Sequence, residues 1–466
     1  MTKETVTMAG NGERPGSIPL GPKGMGRDRE IALDILLEIL ERGGYSHIIL
    51  RQALTKYQYL DKSERAFISR VVEGTVEYLL QIDYIIDSIS NTKVKKMKPV
   101  VRTILRMSVY QLLYMDRVPD SAVCNEAVKL AVKRKFTGLK GFVNGVLRNI
   151  SRNKEGFTWP DDSVRYSMPA WIVSMWEKAY GRETAIIMME SFLKNKKMTV
   201  RCNFAKASKE EILQSLRNQG AEVSESGISE AVLCIEKYDY LEGLEAFQKG
   251  YIQVQDLSSS LVGEIADPKK GDYVIDVCGA PGGKSIHIAD KLKGTGMVEV
   301  RDLTLRKITM VQENIERCGF LNMRTKVQDA LVLDPDSIEK ADIVIADLPC
   351  SGLGIIGRKP DIKYRMTPED LESLAVLQQE ILSVVQAYVK PGGRLIFSTC
   401  TINRKENEEN AQWFLDHFPF DCINLKGKLG EKLDSAAVKQ EYIQLLPGIH
   451  PCDGFFIAAF QKRQGL

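Results

Sequence analysis

Residues 273–284 read Tyr-Val-Ile-Asp-Val-Cys-Gly-Ala-Pro-Gly-Gly-Lys. The apolar run Tyr273–Val277 has the length and β-branched content of a buried strand, and the turn after it opens a helix predicted over Lys284–Leu292. Strand, glycine turn and helix form the first βα unit of an open sheet. Such a turn lets backbone N–H groups come close to a ligand. The pattern repeats downstream: apolar runs at Met297–Val300, Ile343–Ala346 and Leu395–Ser398 alternate with helical stretches at Leu305–Arg317, Pro368–Val389 and Glu406–Phe418. Thr367 is the expected N-cap of the third stretch, with Pro368 at its first position. Repeated βα units imply a parallel sheet with helices on both faces and a ligand site at the carboxyl ends of its strands.

Those carboxyl ends carry the candidate chemistry. A glycine turn alone is equally a tight connection with no ligand. Two acids raise its meaning: Asp302 closes the second strand, where a carboxylate can grip ribose hydroxyls, and Asp329 closes the third, where an acid can accept from an adenine amine. With Cys278, Gly279, Ala280, Pro281, Gly282, Gly283 and Lys284 they describe a nucleoside site. A pyrophosphate binder prefers G-x-G-x-x-G. Here Ala280-Pro281 occupies the middle of the turn, which disfavours a nicotinamide dehydrogenase and suits S-adenosylmethionine, a zwitterionic amino acid with an attached nucleoside.

The fourth strand ends in Asp347-Leu348-Pro349-Cys350-Ser351-Gly352 and the fifth in Ser398-Thr399-Cys400-Thr401. A single cysteine is ordinarily a small core residue. Two on the rim of one sheet ask for a reaction that uses thiols. Carbon 5 of cytosine is too electron-poor to attack a sulfonium methyl directly, but a thiolate added at carbon 6 makes carbon 5 nucleophilic. After methyl transfer the carbon 5 proton must leave so that the thiol is expelled. That cycle needs a nucleophile, a proton acceptor and a group stabilising charge at the N3 and N4 side of the ring. Cys400, Cys350 and Asp347 can fill these roles, and the residues alone leave open which cysteine attacks. Methylation of an exocyclic amine needs no thiol, and its usual turn places an aromatic after two prolines, where this chain has Cys350 after Pro349.

Upstream the pattern changes. Residues 27–153 are helical throughout, with apolar faces such as Ile31, Ile35, Leu36 and Ile39, or Val101, Ile104, Leu105 and Val109. Residues 159–250 read as a small α+β segment, with a helix near Trp171–Ala179, a strand near Met198–Asn203 and a helix over Lys209–Gln219 capped by Ser208. The catalytic α/β domain takes residues 251–466, and residues 1–26 read as a disordered tail. The net charge of +3 hides an asymmetry: between residues 91 and 155, 15 Lys or Arg stand against 4 Asp or Glu. A basic front joined to an acidic rear suggests that the front meets a polyanion, although a charged run is as often a solvated helix surface. Nine cysteines without a C-x-x-C pair fit a reducing compartment, four scattered histidines form no metal site, and no apolar run approaches the ~20 residues of a membrane span. The expected location is the cytoplasm.

The C-terminal half resembles the Nol1/Nop2/Sun family of RNA cytosine-5 methyltransferases. The marks are C-G-A-P-G-G-K at 278–284, D-L-P-C-S-G at 347–352, R-K-P-D at 358–361, S-T-C-T at 398–401, E-N-E at 406–408 and D-G-F-F at 453–456. The helical front resembles the NusB-like RNA-binding domain. The resemblance covers roughly residues 27–462, loosely in the middle segment. It implies a multidomain protein: a NusB-like all-α bundle, a small linking α+β domain and a Rossmann-like methyltransferase domain. It further implies cofactor contacts along Cys278–Lys284 and from Asp302, Asp329 and Asp347, Cys400 as nucleophile, and Cys350 as the residue assisting release. Gln255-Asp256 leading into the first helix is also a family feature, with a structural role expected near the cofactor. The implied substrate is bacterial 16S small-subunit ribosomal RNA; a monomer with no metal and no membrane partner is expected, though the sequence itself does not give the oligomeric state. Gly279 stands where Ala is usual and Leu353 where Thr is frequent; Arg301 precedes Asp302 where a small or apolar residue is common, and of the two acids on that strand, Glu299 and Asp302, the latter, at the strand's end, is favoured for the ribose. Two other readings compete: the same chemistry on transfer or large-subunit RNA, and a non-catalytic RNA-binding or transcription factor. Intact Asp347, Cys350, Cys400 and P-G-G-K count against the latter.

Overall fold

The computed structural model describes residues 26–154, 156–194, 197–426, 433 and 437–464, so the tail expected over 1–26 lies outside the described residues apart from Gly26. The chain forms two compact units that meet in sequence between Pro160 and Asp161. Among the described residues no helix is long and apolar enough to cross a membrane.

The first unit is all-α. Its helices span Arg27–Leu40, Ser46–Lys56, Lys62–Glu77, Leu79–Ile89, Pro99–Tyr114, Asp120–Lys133 and Lys140–Asn153. The Pro99–Tyr114 helix is the axis of the bundle, buried nearly all round from Thr103 to Leu112. Tyr110 lies against Gly74 so closely that a Cβ there would fall 1.9 Å from the ring. The Lys62–Glu77 helix therefore approaches this axis through a missing side chain.

In the second unit four short strands form an antiparallel sheet in the order β2-β3-β1-β4, with β1 Met198–Cys202, β2 Glu222–Glu225, β3 Val232–Glu236 and β4 Ile252–Val254. The Lys209–Asn218 helix covers it, started by a capping box between Ser208 and Glu211. Two helices preceding this sheet, Ala170–Tyr180 and Arg182–Phe192, pack elsewhere: Ile172, Trp176 and Met188 share a core with Leu353, Ile356, Leu371 and Ile402 of the C-terminal half.

The large sheet has eight strands: β5 Tyr273–Asp276, β6 Met297–Asp302, β7 Met323–Val327, β8 Ala341–Asp347, β9 Val389–Thr399, β10 Phe420–Cys422, β11 Tyr442–Leu445 and β12 Phe455–Lys462. The order is β10-β12-β9-β8-β5-β6-β7, with β11 paired to β12. Strands β5 to β9 are parallel, and β12 runs antiparallel to β9, β10 and β11. Both faces are buried. Val274, Ile343 and Ile396 point into one apolar core, while their neighbours Ile275, Val344 and Leu395 point into the other, which is the two-residue alternation of a strand between two helical layers. The chain order reverses at β5, so the crevice between β5 and β8 is the switch point where ligands bind. Two boundaries differ from the sequence reading. The helix expected to Val389 ends at Val385, followed by a 3-10 turn that buries Tyr388. Strand β7 stops at Val327, which leaves Asp329 in the following loop rather than at the strand's end.

Candidate active site

The turn after β5 is built by close backbone packing. Gly279 N–H donates to the Arg301 carbonyl at 2.8 Å and Gly282 N–H to the Gly279 carbonyl at 2.7 Å. A Cβ on Gly279 would lie 2.4 Å from Val300 and 2.9 Å from the Asp276 carboxyl, so the glycine is fitted to Val300 and is more than a tolerated replacement for alanine. Gly282, at φ +102°, turns the chain into the Gly283–Leu292 helix. Asp302 holds the turn from β6: its Oδ2 accepts from Ala280 N–H at 3.1 Å, and its Oδ1 from Lys307 Nζ at 2.8 Å. Glu299, the other acid on that strand, is taken up by Arg301 and Arg324.

A cavity of about 280 Å³ opens beside this turn. Of the expected residues, Cys278–Pro281, Gly283, Lys284 and Asp347 line it; Gly282, Asp302 and Asp329 do not. Asp329 instead accepts from Leu331 N–H at 3.0 Å. The cavity also has walls that the sequence reading did not assign as site residues: Asp276, Arg358 and Asp453, with the Gln255-Asp256 pair expected nearby. Arg358 is the brace. Its Nη2 donates to Asp256 Oδ2 at 2.8 Å and its Nε to Asp453, which ties the R-K-P-D segment to the start of the Leu257–Ala266 helix and to the D-G-F-F segment. Asp276 is fully buried, and burial pushes its pKa up to about 7. Its Oδ2 accepts from Ser285, while Oδ1 has no donor within hydrogen-bond geometry among the described residues. Acids, a lysine, an arginine and an unsatisfied buried acceptor around one cavity fit the mixed charges of S-adenosylmethionine.

On the other side of Asp347 lie the two thiols. Cys350 Sγ and Cys400 Sγ are 3.2 Å apart, on loops following the neighbouring strands β8 and β9. Asp347 is fixed by Lys284 Nζ at 2.7 Å and Ser398 Oγ at 2.8 Å. Burial opposes the Lys284 charge, but the carboxylates of Asp347 and Asp276 outweigh it and hold the ammonium above its usual range. The thiols are unequal. A hydrogen bond from Cys350, assisted by the charges of Lys284 and Lys359, holds Cys400 below the ordinary thiol range against burial and Asp347. Cys350, as donor to Cys400, with burial and the charges of Glu406 and Asp347 added, is held well above that range. The geometry is that of two thiols in hydrogen-bond contact. A larger cleft of about 550 Å³, lined by Trp171, Met175, Lys178, Leu371 and Ile402–Lys405, holds neither cysteine.

The chain was compared with known proteins. The family model described as 16S rRNA methyltransferase RsmB/F matches residues 264–461, that of the NusB family matches residues 27–152, and that of an RsmF/B-like ferredoxin-like domain matches residues 168–240. A probable ribosomal RNA small subunit methyltransferase B from Bacillus subtilis (strain 168) is 36% identical over 444 residues, covering 93% of this chain and 98% of that protein. Its counterpart from Synechocystis sp. is 32% identical, covering 93% and 99%. Among solved structures, that of PH0851 superposes with a TM-score of 0.80 at 26% identity, covering 95% of this chain and 99% of the other.

Proposed function

The chain belongs to the RsmB/F methyltransferase family, and from that premise we propose that it methylates carbon 5 of a cytosine in small-subunit ribosomal RNA, through a covalent bond between Cys400 and the base. The observation that carries the chemistry is the pair of thiols at 3.2 Å beside the Lys284–Asp347 ion pair. Methylation of an amine or a hydroxyl has no use for it.

The Cys400 thiolate adds to carbon 6 of the cytosine, and the electron pair of the carbon 5–carbon 6 bond becomes available at carbon 5. Asp347, held in one orientation by Lys284 and Ser398, is assigned to the N3 and N4 edge, where its carboxylate accepts from the N4 amine and from N3 once N3 takes up from water the proton that neutralises the adduct. The chemistry supplied by bound S-adenosylmethionine is an electrophilic methyl group. The residues that would hold it are the Cys278–Lys284 turn and Asp347, while Asp329 lies off the cavity. Asp302 acts through the turn it fixes, since its carboxylate already takes the Ala280 N–H. A base, water or hydroxide from solvent, takes the carbon 5 proton, the carbon–hydrogen electron pair restores the carbon 5–carbon 6 double bond, and the carbon–sulfur bond breaks with its pair returning to Cys400 as thiolate. The departing sulfur of Cys400 regains the hydrogen bond from Cys350, which is how a neighbouring thiol assists release. The target base must leave any stack for Cys400 to reach carbon 6.

The test is transfer of labelled methyl from S-adenosylmethionine to undermodified small-subunit RNA by wild type, Cys400→Ala and Cys350→Ala, followed on denaturing gels. Wild type is expected to yield labelled 5-methylcytosine, Cys400→Ala none, and Cys350→Ala a retarded protein–RNA band. Label confined to transfer or large-subunit RNA would replace the substrate, and no label on any RNA would overturn the reading.

A further inference from the structure

Six residues beyond Cys400, the chain approaches the Glu408–His417 helix through Glu406 and Asn407, both wholly buried. The Glu406 carboxylate collects four donors. Oε1 accepts from Ser351 Oγ at 2.5 Å and Asn403 Nδ2 at 3.0 Å; Oε2 accepts from Ser351 N–H at 2.8 Å and Gln378 Nε2 at 3.2 Å. Burial raises its pKa, but four donors and no partner in need of a proton match the acceptor capacity of the anion. Ser351 has one hydroxyl proton. Having given it to Glu406, its Oγ accepts from Thr401 Oγ1 at 2.8 Å. Gln378 also donates to the Pro349 carbonyl at 2.8 Å. Asn407 completes the set, accepting from Thr399 Oγ1 at 2.5 Å and donating to the Thr401 carbonyl at 3.1 Å.

These bonds converge on the residues flanking the two thiols: Pro349 and Ser351 around Cys350, Thr399 and Thr401 around Cys400. Neither Glu406 nor Asn407 makes a hydrogen bond to a sulfur among the described residues. A buried polar network that only stiffens the fold has no reason to choose those neighbours. We propose that Glu406 is the positioning residue of the thiol pair, its carboxylate clamping the Cys350 loop directly and the Cys400 loop through Ser351 and Thr401, with Asn407 holding the second loop from the other side. The clamp acts on charge as well as on place. The groups facing Cys350 are Cys400, Glu406 and Asp347, and those facing Cys400 are Cys350, Asp347, Lys284 and Lys359. The Glu406 carboxylate thus bears on Cys350, adding to the Cys400 contact and the burial that raise its pKa.

The inference rests on the thiol mechanism proposed above, and two readouts separate them. Glu406→Gln keeps the volume but removes the charge and sets an N–H where Ser351 needs an acceptor. At saturating S-adenosylmethionine, its single-turnover methyl transfer to undermodified small-subunit RNA is expected to fall about 10- to 100-fold, the value of a buried charged hydrogen bond, with cofactor affinity unchanged. Iodoacetamide labelling without RNA, mapped by mass spectrometry across pH, is expected to favour Cys400 in wild type. In Glu406→Gln, Cys350 should label at lower pH and the gap between the two thiols should narrow. A scaffold role would instead speed both labels at every pH and keep their order, and that result, or a wild-type pattern, would overturn the clamp. Should Glu406→Gln not fold, Ser351→Ala removes only the hydroxyl link and is expected to lower transfer and narrow the gap to a smaller degree; no change there would also overturn it. Should wild type methylate no RNA, the proposed reaction fails, and the labelling still decides the clamp.

Discussion

A buried thiol is ordinarily protonated, because burial penalises the thiolate. Cys278, at the near end of the same site, behaves so: burial first, then the acids around it, push its pKa above the usual thiol range. Cys400 goes the other way because Cys350 donates to it and the Lys284 and Lys359 charges favour its ionised form. The sign of the pH dependence follows. A nucleophile that must be ionised gives a rate that rises with pH through its pKa and is level above it. With the Cys400 pKa depressed, adduct formation persists to lower pH than for an ordinary thiol and is lost as pH falls through the depressed value. Replacing Lys284 with methionine removes one of the charges that depress it. At saturating cofactor, the acid limb of the single-turnover pH profile for Lys284→Met is therefore expected to lie at higher pH than in wild type. An unmoved limb would mean that Lys284 serves only to hold Asp347.

Among elements, the decisive contact is one of backbone on backbone. The Gly354 N–H donates to the Cys400 carbonyl at 3.1 Å and the Gly454 N–H to the Gly354 carbonyl at 2.9 Å, so the loop after β8 lies between the Cys400 loop and the D-G-F-F segment. A Cβ on Gly354 would stand 2.1 Å from the Gly454 carbonyl oxygen and 2.8 Å from that of Cys400, and backbone cannot swing aside. Gly354→Ala is expected to destabilise by about 1–3 kcal/mol, the usual range for overpacking, and to lower methyl transfer more than cofactor affinity, as thermal unfolding and calorimetry would show. Equal turnover would mean that the Cys400 loop is placed by other contacts. This crossing also marks how far the sequence could be read. Strands β5, β6, β8 and β9 and the helices between them were legible because apolar runs, glycine turns and caps such as Thr367 are local signals. The two thiols could be brought together because sites in such sheets lie at strand ends. Asp276 was not legible as a cavity wall, since within β5 it is simply the next residue of an apolar strand. The Arg358 brace was not legible either: its partners Asp256 and Asp453 lie 102 and 95 residues away, and only the folded sheet brings them near. Nor does periodicity say that Ala170–Tyr180 packs on Leu353 and Ile402 rather than on the strands that follow it.

At the scale of the whole molecule, the charge asymmetry needs to be separated into cations that are paired and cations that are not. In the first unit Arg102 pairs with Glu41, Arg106 with Asp83, Lys133 with Glu30 and Arg134 with Asp34, so acids from the early helices absorb part of the excess. What remains includes a stripe on the Lys140–Asn153 helix. Lys140, Arg148 and Arg152 recur at multiples of four residues, all exposed and without an ion pair among the described residues; Arg148 and Arg152 lie on the side away from Val143, Leu147 and Ile150. Asn144 fills the missing step and accepts from Arg148 Nε at 3.1 Å. A row of unpaired cations at this spacing can follow a phosphate backbone, whereas paired ones would first have to break their ion pairs. Each phosphate left without its cation should flatten the dependence of log Kd on log salt by about one unit or slightly less. The triple replacement Lys140→Gln, Arg148→Gln, Arg152→Gln is thus expected to reduce the salt slope of RNA binding by about two to three. Replacing Lys133 and Arg134, which are already paired, should change it far less. S-adenosylmethionine affinity should stay the same in both, because the candidate pocket is built wholly from residues of the second unit. Equal slopes for the two sets would show that the basic excess is a solvated helix surface, and RNA would then have to be held by the second unit alone.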